Sequence, residues 1–148
     1  MNIRESAKGL VKDINDLNVL VAGKHGRLGL PGGGLKEIEL NDTIVEEFET
    51  EAFFREIKEE IGLDREELIN VDELFLLEGE TTSEQGISRL TFWTVFKADI
   101  PFSYAELFIP YGSEITGITG MTNNECLADS SVHDFTKRAI YKAMELGL

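Results

Sequence analysis

The sequence predicts an α/β or α+β fold, in which helices pack on a β-sheet. Strand signals come in pairs, and the order along the chain is β, β, helix, β, β, a weaker β signal and a final helix. A chain with both strands and helices in this order buries their apolar faces when the helices pack on a sheet. The chain has 148 residues, which favours a single domain over residues 1–148 with a core that needs no disulfides.

The N-terminal segment predicts a β-hairpin. Residues 7–12 and 18–23 carry the two strands, and "DINDLN" between them supplies turn residues. The loop "HGRLGLPGGG" follows, with three consecutive glycines after Pro31. Such a backbone turns tightly and approaches a ligand without interference from a Cβ atom.

The next segment ends in a strong helix, "REIKEEIG", and Gly62 suits a left-handed C-terminal cap. The start of this helix is open between two alternatives. Thr43 with Glu46 three residues later would form a capping box and give a long helix, whereas Thr50 would cap a shorter one.

The second half of the chain predicts a larger sheet and a C-terminal helix. "LFLLEGE" and "SRLTFWTVFKAD" are typical of strands, "EITGIT" is a weaker strand signal, and residues 133–146 predict the helix. Alternate residues of a strand face opposite sides, so at least one of Phe92, Trp93 and Phe96 should be core, while another could stack on a base. Arg89 comes just before them and is a candidate phosphate contact.

Composition narrows the range of partners. The net charge of −14 opposes binding to a long nucleic acid, which requires Lys and Arg to neutralise phosphates. Binding of a small phosphorylated ligand is still compatible with this net charge, because a divalent cation held by carboxylates makes the local electrostatic potential positive. No apolar run is long enough for a membrane span, no secretory signal is evident, and Cys126 is the single cysteine. We therefore expect a cytoplasmic protein.

The acidic face of the predicted helix needs an explanation. Glu56, Glu59 and Glu60 stand at i,i+3 and i,i+4 spacing, where like charges each cost about 0.2 to 0.5 kcal/mol. Arg55, at i,i+4 to Glu59, offsets only part of this cost. A solvated face is one interpretation. The other is a magnesium site, since Mg²⁺ prefers oxygen ligands and retains waters and substrate phosphates.

These residues resemble a known signature. Gly32 and Gly33, then Glu47, then "REIKEEIGL" are similar to the Nudix hydrolase motif G-x5-E-x7-R-E-U-x-E-E-x-G-U, where U is a bulky aliphatic residue. Every fixed position from Glu47 onward matches, and the resemblance extends over about the first 100 residues, including the approach "VLVAGKHGRLGLPGGG".

One spacing departs from the motif. Thirteen residues instead of five separate Gly33 from Glu47, which is an insertion of eight. A helix that began near Thr43 would turn Glu47 away from Glu56 and bring Glu49 onto the acidic face instead.

The resemblance implies a Nudix-type α/β/α sandwich with a mixed β-sheet between helices. It also implies an Mg²⁺-dependent pyrophosphohydrolase, with Mn²⁺ as an alternative metal, that cleaves a nucleoside diphosphate linked to another moiety. The metal ligands it implies are Gly32, Glu56, Glu59, Glu60 and Glu125. Glu59, Glu56 and Arg55 would be catalytic, and Gly33, Gly34 and Arg89 would bind substrate.

The substrate is the least determined part of the prediction. "LEGETTSEQG" lacks the proline of ADP-ribose enzymes and the tyrosine of diadenosine polyphosphate enzymes, which leaves nucleoside triphosphates, normal or oxidised, by elimination. Nucleotide sugars, dinucleoside polyphosphates, RNA 5′ ends, a non-catalytic nucleotide sensor and a structural protein stay open, as does a homodimer. We expect His25 to be solvated and His133 to have no catalytic role.

Overall fold

The computed structural model describes residues 2–82 and 85–148, and in them helices cover both faces of a mixed β-sheet. The strands are β1 Asn2–Lys12, β2 Asn18–Ala22, β3 Leu28–Gly29, β4 Gly32–Gly34, β5 Glu37–Leu40, β6 Thr43–Glu46, β7 Ile69–Thr82, β8 Ser88–Asp99 and β9 Gly117–Met121. The α-helices are α1 Glu49–Ile61, α2 Asn123–Ala128 and α3 Asp134–Glu145. None of the helices in the described ranges has the length and apolar character to cross a membrane.

The main sheet has β1 and β8 at its centre. Its order is β3-β2-β1-β8-β7, with β4 also paired to β1 and β9 to β2. β1 and β8 run parallel, with Arg4 opposite Thr91 and Ser6 opposite Trp93, and the other pairs are antiparallel. The predicted strands are confirmed, and the weak "EITGIT" signal overlaps the start of β9.

Two hydrophobic cores lie on the two faces of this sheet. Phe96 of β8 faces α1 and stacks on Phe53, with ring centroids 4.9 Å apart. Trp93, three residues earlier, faces α3 and meets Phe135 edge-on at 4.6 Å. The buried side chains on the α1 side include Ala52, Phe53, Ile57 and Ile61, and those on the α3 side include Phe135, Ala139, Ile140 and Ala143. The predicted layering is thus confirmed.

The eight inserted residues form most of a separate hairpin, β5–β6. Leu40 pairs with Thr43, and between them Asn41 and Asp42 both have positive φ, 51° and 62°. Two such residues make the tight turn that matches strand twist, and the β-branched run "TIV" favours a strand. The long helix from Thr43 is therefore wrong.

Helix α1 begins at Glu49, directly after Phe48. The shorter of the two predicted helices is correct, but its predicted cap is wrong, because Thr50 lies inside the helix. Gly62 ends the helix in the left-handed conformation, with φ 74°, and its N–H donates to the Lys58 carbonyl. The predicted C-terminal cap is confirmed, and the short helix places Glu47 just before α1.

Candidate functional site

The acidic face of α1 lies against the glycine strand β4. The Gly32 N–H donates to Glu60 Oε1 at 2.7 Å. A Cβ atom on Gly33 would lie 2.5 Å from the Glu56 carboxylate, so only glycine permits this approach. Gly32 itself has φ +136°, a conformation that favours glycine, and any side chain there would collide with the Ala7 carbonyl.

Arg55 connects the carboxylates with one another. Its Nη1 donates to Glu56 Oε1 at 2.8 Å and to Glu59 Oε2 at 3.4 Å. Its Nη2 donates to the Gly34 carbonyl at 3.0 Å, and its Nε and Nη2 both donate to the Glu47 carboxylate. These hydrogen bonds raise the pKa of Arg55 further above its usual value, and the hydrogen bond to Glu47 is the largest cause. Arg55 therefore stays charged and fixes the orientation of the glutamates.

Glu47 is the partner that holds Arg55 in place. It is only 8 % exposed, and it also accepts a hydrogen bond from the Lys36 N–H at 2.9 Å. The hydrogen bond from Arg55 is the main reason that the pKa of Glu47 is lowered. Glu47 positions Arg55, and Arg55 in turn hydrogen-bonds to Glu56 and Glu59.

Glu60 is the carboxylate with the most perturbed pKa. Burial raises its pKa to about 7, the charges of Glu56 and Glu59 add to the rise, and the Lys8 ammonium and the Gly32 N–H oppose it. Lys8 Nζ donates to the Gly32 carbonyl at 3.1 Å. A lysine of β1 thus stands beside the oxygen atoms that the resemblance assigns to the metal.

The donor set suits a hard divalent cation. Glu56, Glu59, Glu60 and the Gly32 carbonyl offer oxygen atoms alone, which is the chemistry of Mg²⁺ and Mn²⁺ sites. Over residues 2–82 and 85–148 no three acidic, His or Cys side chains are already gathered around one ion position. Arg55, the Gly32 N–H and Lys8 instead balance the negative charge.

A cleft lined by basic side chains adjoins the carboxylates. Its volume is about 280 Å³, and Glu60 forms part of its wall. Arg4, Lys8, Arg27 and Arg89 supply its positive charges. The structure thus places Arg89, predicted as a phosphate contact, in the cleft that borders the acidic face.

The cleft follows from strand alternation and register. Three alternate residues of each central strand line it: Arg4, Ser6 and Lys8 from β1, and Arg89, Thr91 and Trp93 from β8. In the sequence the two groups are more than 80 residues apart. Arg4, Lys8 and Arg27 were missed by sequence analysis because nothing local marks them as neighbours of the glutamates.

A second cavity also contacts the carboxylates, and it shares Glu60 and Ile115 with the cleft. Its volume is about 430 Å³, and its wall joins Glu56, Glu59 and Glu60 to the loop 110–115. Tyr111 and Glu114 are exposed members of that loop. Neither was singled out from the sequence: Tyr111 lies in a segment without a local signal, and Glu114 begins the weak strand signal "EITGIT", whose first three residues precede β9.

Glu125 lies outside the cleft and the second cavity. It lies in the first turn of α2, where its Oε1 accepts from the Thr122 N–H at 2.9 Å and its own N–H donates to Thr122 Oγ1 at 3.1 Å. The neighbouring Asn123 accepts from Lys12 Nζ at 2.9 Å, and Lys12 lies four residues beyond Lys8 in β1. Glu125 lines neither cavity and serves as a helix cap.

The aromatic residues of β8 and the two histidines differ in burial and in whether they line the cleft. Phe96 and Trp93 are core, at 2 % and 8 % exposure, and Phe92 is half-buried. His25 is exposed and does not line the cleft. His133 lines it, but its Nδ1 accepts from the Phe135 N–H at 3.2 Å as the cap of α3.

Solved structures with the same fold are Nudix hydrolases. A Caenorhabditis elegans Ap4A hydrolase complex aligns with a TM-score of 0.68 at 14% identity, over 98% of this chain and 99% of that one. A MutT NUDIX hydrolase from Burkholderia pseudomallei gives 0.66 at 17% identity, over 95% and 98%. A NUDIX hydrolase from Nitrosomonas europaea gives 0.62 at 18% identity, over 99% and 90%.

The chain therefore has the Nudix hydrolase fold, and the fold that the signature predicted is confirmed. No protein-family model matches the sequence, and a comparison with curated proteins finds no match either. At identities of 13% to 18%, the likeness is one of structure alone. What the protein does must be argued from its own site.

Proposed function

We propose that this protein is an Mg²⁺-dependent Nudix hydrolase that acts on phosphoanhydride bonds. Its substrate is a nucleoside diphosphate linked to another moiety, foremost a nucleoside triphosphate, normal or oxidised. One observation carries the proposal: Glu56 and Glu60 are held against the glycine strand by Arg55 and the backbone, with Glu59 on the same helix face and a basic cleft beside them. A merely solvated acidic face would not need this support.

The metal would be held by Glu56, Glu59, Glu60 and the Gly32 carbonyl. When bound, it neutralises charge on the diphosphate oxygens and lowers the pKa of a water molecule. The protein groups then divide the remaining tasks. Arg55 keeps the carboxylates oriented, and Gly33 leaves the space in which Glu56 lies.

Glu59 is the best placed general base. Its side chain is 51% exposed, and its only hydrogen bond among the described residues is the 3.4 Å contact with Arg55. Glu56 and Glu60 accept shorter hydrogen bonds, of 2.8 and 2.7 Å. The Glu59 carboxylate is therefore the one most available to take a proton from water.

Water is the only co-reactant that the hydrolysis needs. The water oxygen forms a bond to the α-phosphorus, one water proton passes to Glu59, and the bond from the α-phosphorus to the bridging oxygen breaks. The bridging oxygen leaves with the β-phosphate. A nucleoside triphosphate thus gives a nucleoside monophosphate and pyrophosphate, and the proton on Glu59 is released to solvent.

The test is hydrolysis of a substrate panel with and without Mg²⁺. The panel contains the nucleoside triphosphates, oxidised dGTP, ADP-ribose, a nucleotide sugar and a diadenosine polyphosphate, the last because one similar structure is an Ap4A hydrolase. Glu59→Gln should lower kcat by about 10² to 10⁴, the usual contribution of a general base. Glu51→Gln is the matched control, since Glu51 is a similarly exposed glutamate of the same helix.

The outcomes separate the classes of function. Metal-dependent turnover that is lost in Glu59→Gln and kept in Glu51→Gln supports the enzyme. Tight binding of a panel member without turnover would instead support a nucleotide sensor. Absence of both binding and turnover across the panel would contradict the proposal.

We further propose Glu114 as the additional acid near the metal in place of Glu125. Glu114 lines the cavity that contains Glu56, Glu59 and Glu60, whereas Glu125 caps α2. Glu114→Gln should reduce activity at limiting Mg²⁺ more than Glu125→Gln does.

The cytoplasmic location and the homodimer stay predictions from sequence, and light scattering would test the homodimer.

A further inference from the structure

We propose that the basic cleft binds the charged end of the substrate and not a nucleobase. The enzyme would then select diphosphates whose second moiety carries additional phosphoryl groups, with little preference among bases. This inference rests on the proposed function, since it concerns the substrate of the same site. Four observations support it.

The first observation is a group of arginine side chains in the cleft that have no direct hydrogen-bond or ion-pair partner among the described residues. Arg4, Arg27 and Arg89 line the cleft, yet none forms a hydrogen bond or an ion pair with the residues that the structure describes. Partial burial and the nearby charge of Arg89 both lower the pKa of Arg4, and the charge of Glu56 opposes them only in part. In a chain of net charge −14, three such arginines in one cleft indicate a site for an anion.

The second observation is an unpartnered polar atom in the wall. Ser6 is 2 % exposed, and its hydroxyl has no hydrogen-bond partner among the described side chains and backbone. Ser6 lies between Arg4 and Lys8 on the cleft side of β1. A buried hydroxyl without a partner costs about 1 to 3 kcal/mol, so a ligand oxygen beside the two cations would satisfy it.

The third observation is the lack of an open Phe, Tyr or Trp ring. Trp93 is the only Phe, Tyr or Trp side chain among the described residues that line the cleft, and it is 8 % exposed. Phe135 meets it edge-on, and Lys8 Nζ lies 5.2 Å from its ring centroid. Both contacts hinder stacking of a base on Trp93. The stacking role that the sequence left open for this strand is therefore not available to Trp93.

The fourth observation is the arrangement around the carboxylates. The cleft is small, about 280 Å³, at the lower limit of typical ligand sites of roughly 300 to 1,000 Å³. The adjoining 430 Å³ cavity, which also contains Glu56 and Glu59, carries the exposed ring of Tyr111. Placing the phosphoryl end in the cleft and the nucleoside toward Tyr111 puts the scissile diphosphate beside Glu56 and Glu59.

The first experiment compares kcat/KM across substrates and variants. We expect ATP, GTP, CTP and UTP to agree within about threefold, and each to exceed UDP-glucose, whose second moiety is neutral, at least tenfold. Arg89→Gln and Arg4→Gln should raise KM for the triphosphates at least tenfold and change UDP-glucose less than twofold. Arg65→Gln, an arginine outside the cleft, is the control with the same charge change.

The second experiment separates this inference from the proposed function. Isothermal titration calorimetry measures binding of inorganic triphosphate to metal-free Glu59→Gln protein, alone and combined with Arg89→Gln or Arg89→Lys. We expect at least tenfold weaker binding with glutamine and partial recovery with lysine. Thermal unfolding of each variant confirms that it is folded.

Each result has a defined meaning. Triphosphate binding that depends on Arg89, without hydrolysis of any panel member, would support the charged cleft and contradict the enzyme. Hydrolysis with unchanged KM in the arginine variants, or a preference above tenfold for one base, would overturn the cleft assignment and leave the enzyme intact.

Discussion

Replacing Glu60 by glutamine tests the electrostatics of the site without a substrate. The Glu60 pKa is about 7 in the folded protein and 4.5 in an unperturbed carboxyl, because burial and the charges of Glu56 and Glu59 disfavour ionisation. Without solvent screening, a pKa difference of this size corresponds to about 3 kcal/mol in the free energy of unfolding. Solvent contact screens it, which leaves about 1 to 2 kcal/mol.

The sign of the effect determines the pH window. A carboxyl whose pKa is raised on folding binds more protons in the folded than in the unfolded state between pH 4.5 and about 7. Its contribution to stability is therefore lost as pH rises through that window, and the full penalty applies above it. The glutamine side chain stays neutral and can still accept the Gly32 N–H bond, so Glu60→Gln should escape the penalty.

The assay is urea unfolding of metal-free protein in EDTA from pH 4.5 to 8.5. The free energy of unfolding of Glu60→Gln should exceed that of wild type by about 1 to 2 kcal/mol above pH 7, and the two should converge near pH 4.5. Added Mg²⁺ should reverse the order, since saturation to 100 times Kd stabilises a metal-binding fold by about 2.7 kcal/mol. A constant difference between the proteins at all pH values would refute the reasoning.

Three further predictions concern the support of the carboxylates. Gly33→Ala should lower kcat/KM at least tenfold, because its Cβ would displace Glu56, whereas Gly34→Ala, whose Cβ meets nothing closer than 3.8 Å, should keep most activity in the same assay. Glu47→Gln should destabilise the fold by about 2 to 4 kcal/mol in urea unfolding, since it weakens a largely buried ion pair with Arg55. Arg55→Lys should lower both kcat and the thermal midpoint, because lysine keeps the charge but loses the fork that reaches Glu47 and the other carboxylates.

Local patterns in the sequence predicted the acidic side of the site well. The i,i+3 and i,i+4 spacing places Glu56, Glu59 and Glu60 on one helix face wherever the helix begins, and Gly62 fixes its end. The start could not be predicted in the same way. Two residues with positive φ at Asn41 and Asp42 turn the insertion into a hairpin, and the capping signal at Thr43 competed with that turn.

The basic side of the site depends on long-range pairing, which no local pattern reveals. Arg4 and Arg89 come together only because β1 and β8 pair in parallel with a register that sets Arg4 opposite Thr91. A shift of one residue would turn either arginine to the opposite face of the sheet. The position of Glu125 in the sequence likewise did not reveal that its side chain takes part in the capping box of α2.

The two sides of the site constrain one another. Three glutamates at the end of α1 would repel a phosphate chain, and unpaired arginines in the cleft would repel a metal, so neither side suffices for a metal-bound diphosphate. Lys8 and Glu60 stand at the boundary, where the Lys8 charge lowers the pKa of Glu60 against the effect of burial. Lys8→Met should therefore raise the Glu60 pKa further and weaken triphosphate binding, and both changes are measurable in metal-free protein. If Lys8→Met altered neither quantity, the carboxylates and the cleft would be electrostatically independent, and the two halves of the site would have to be explained separately.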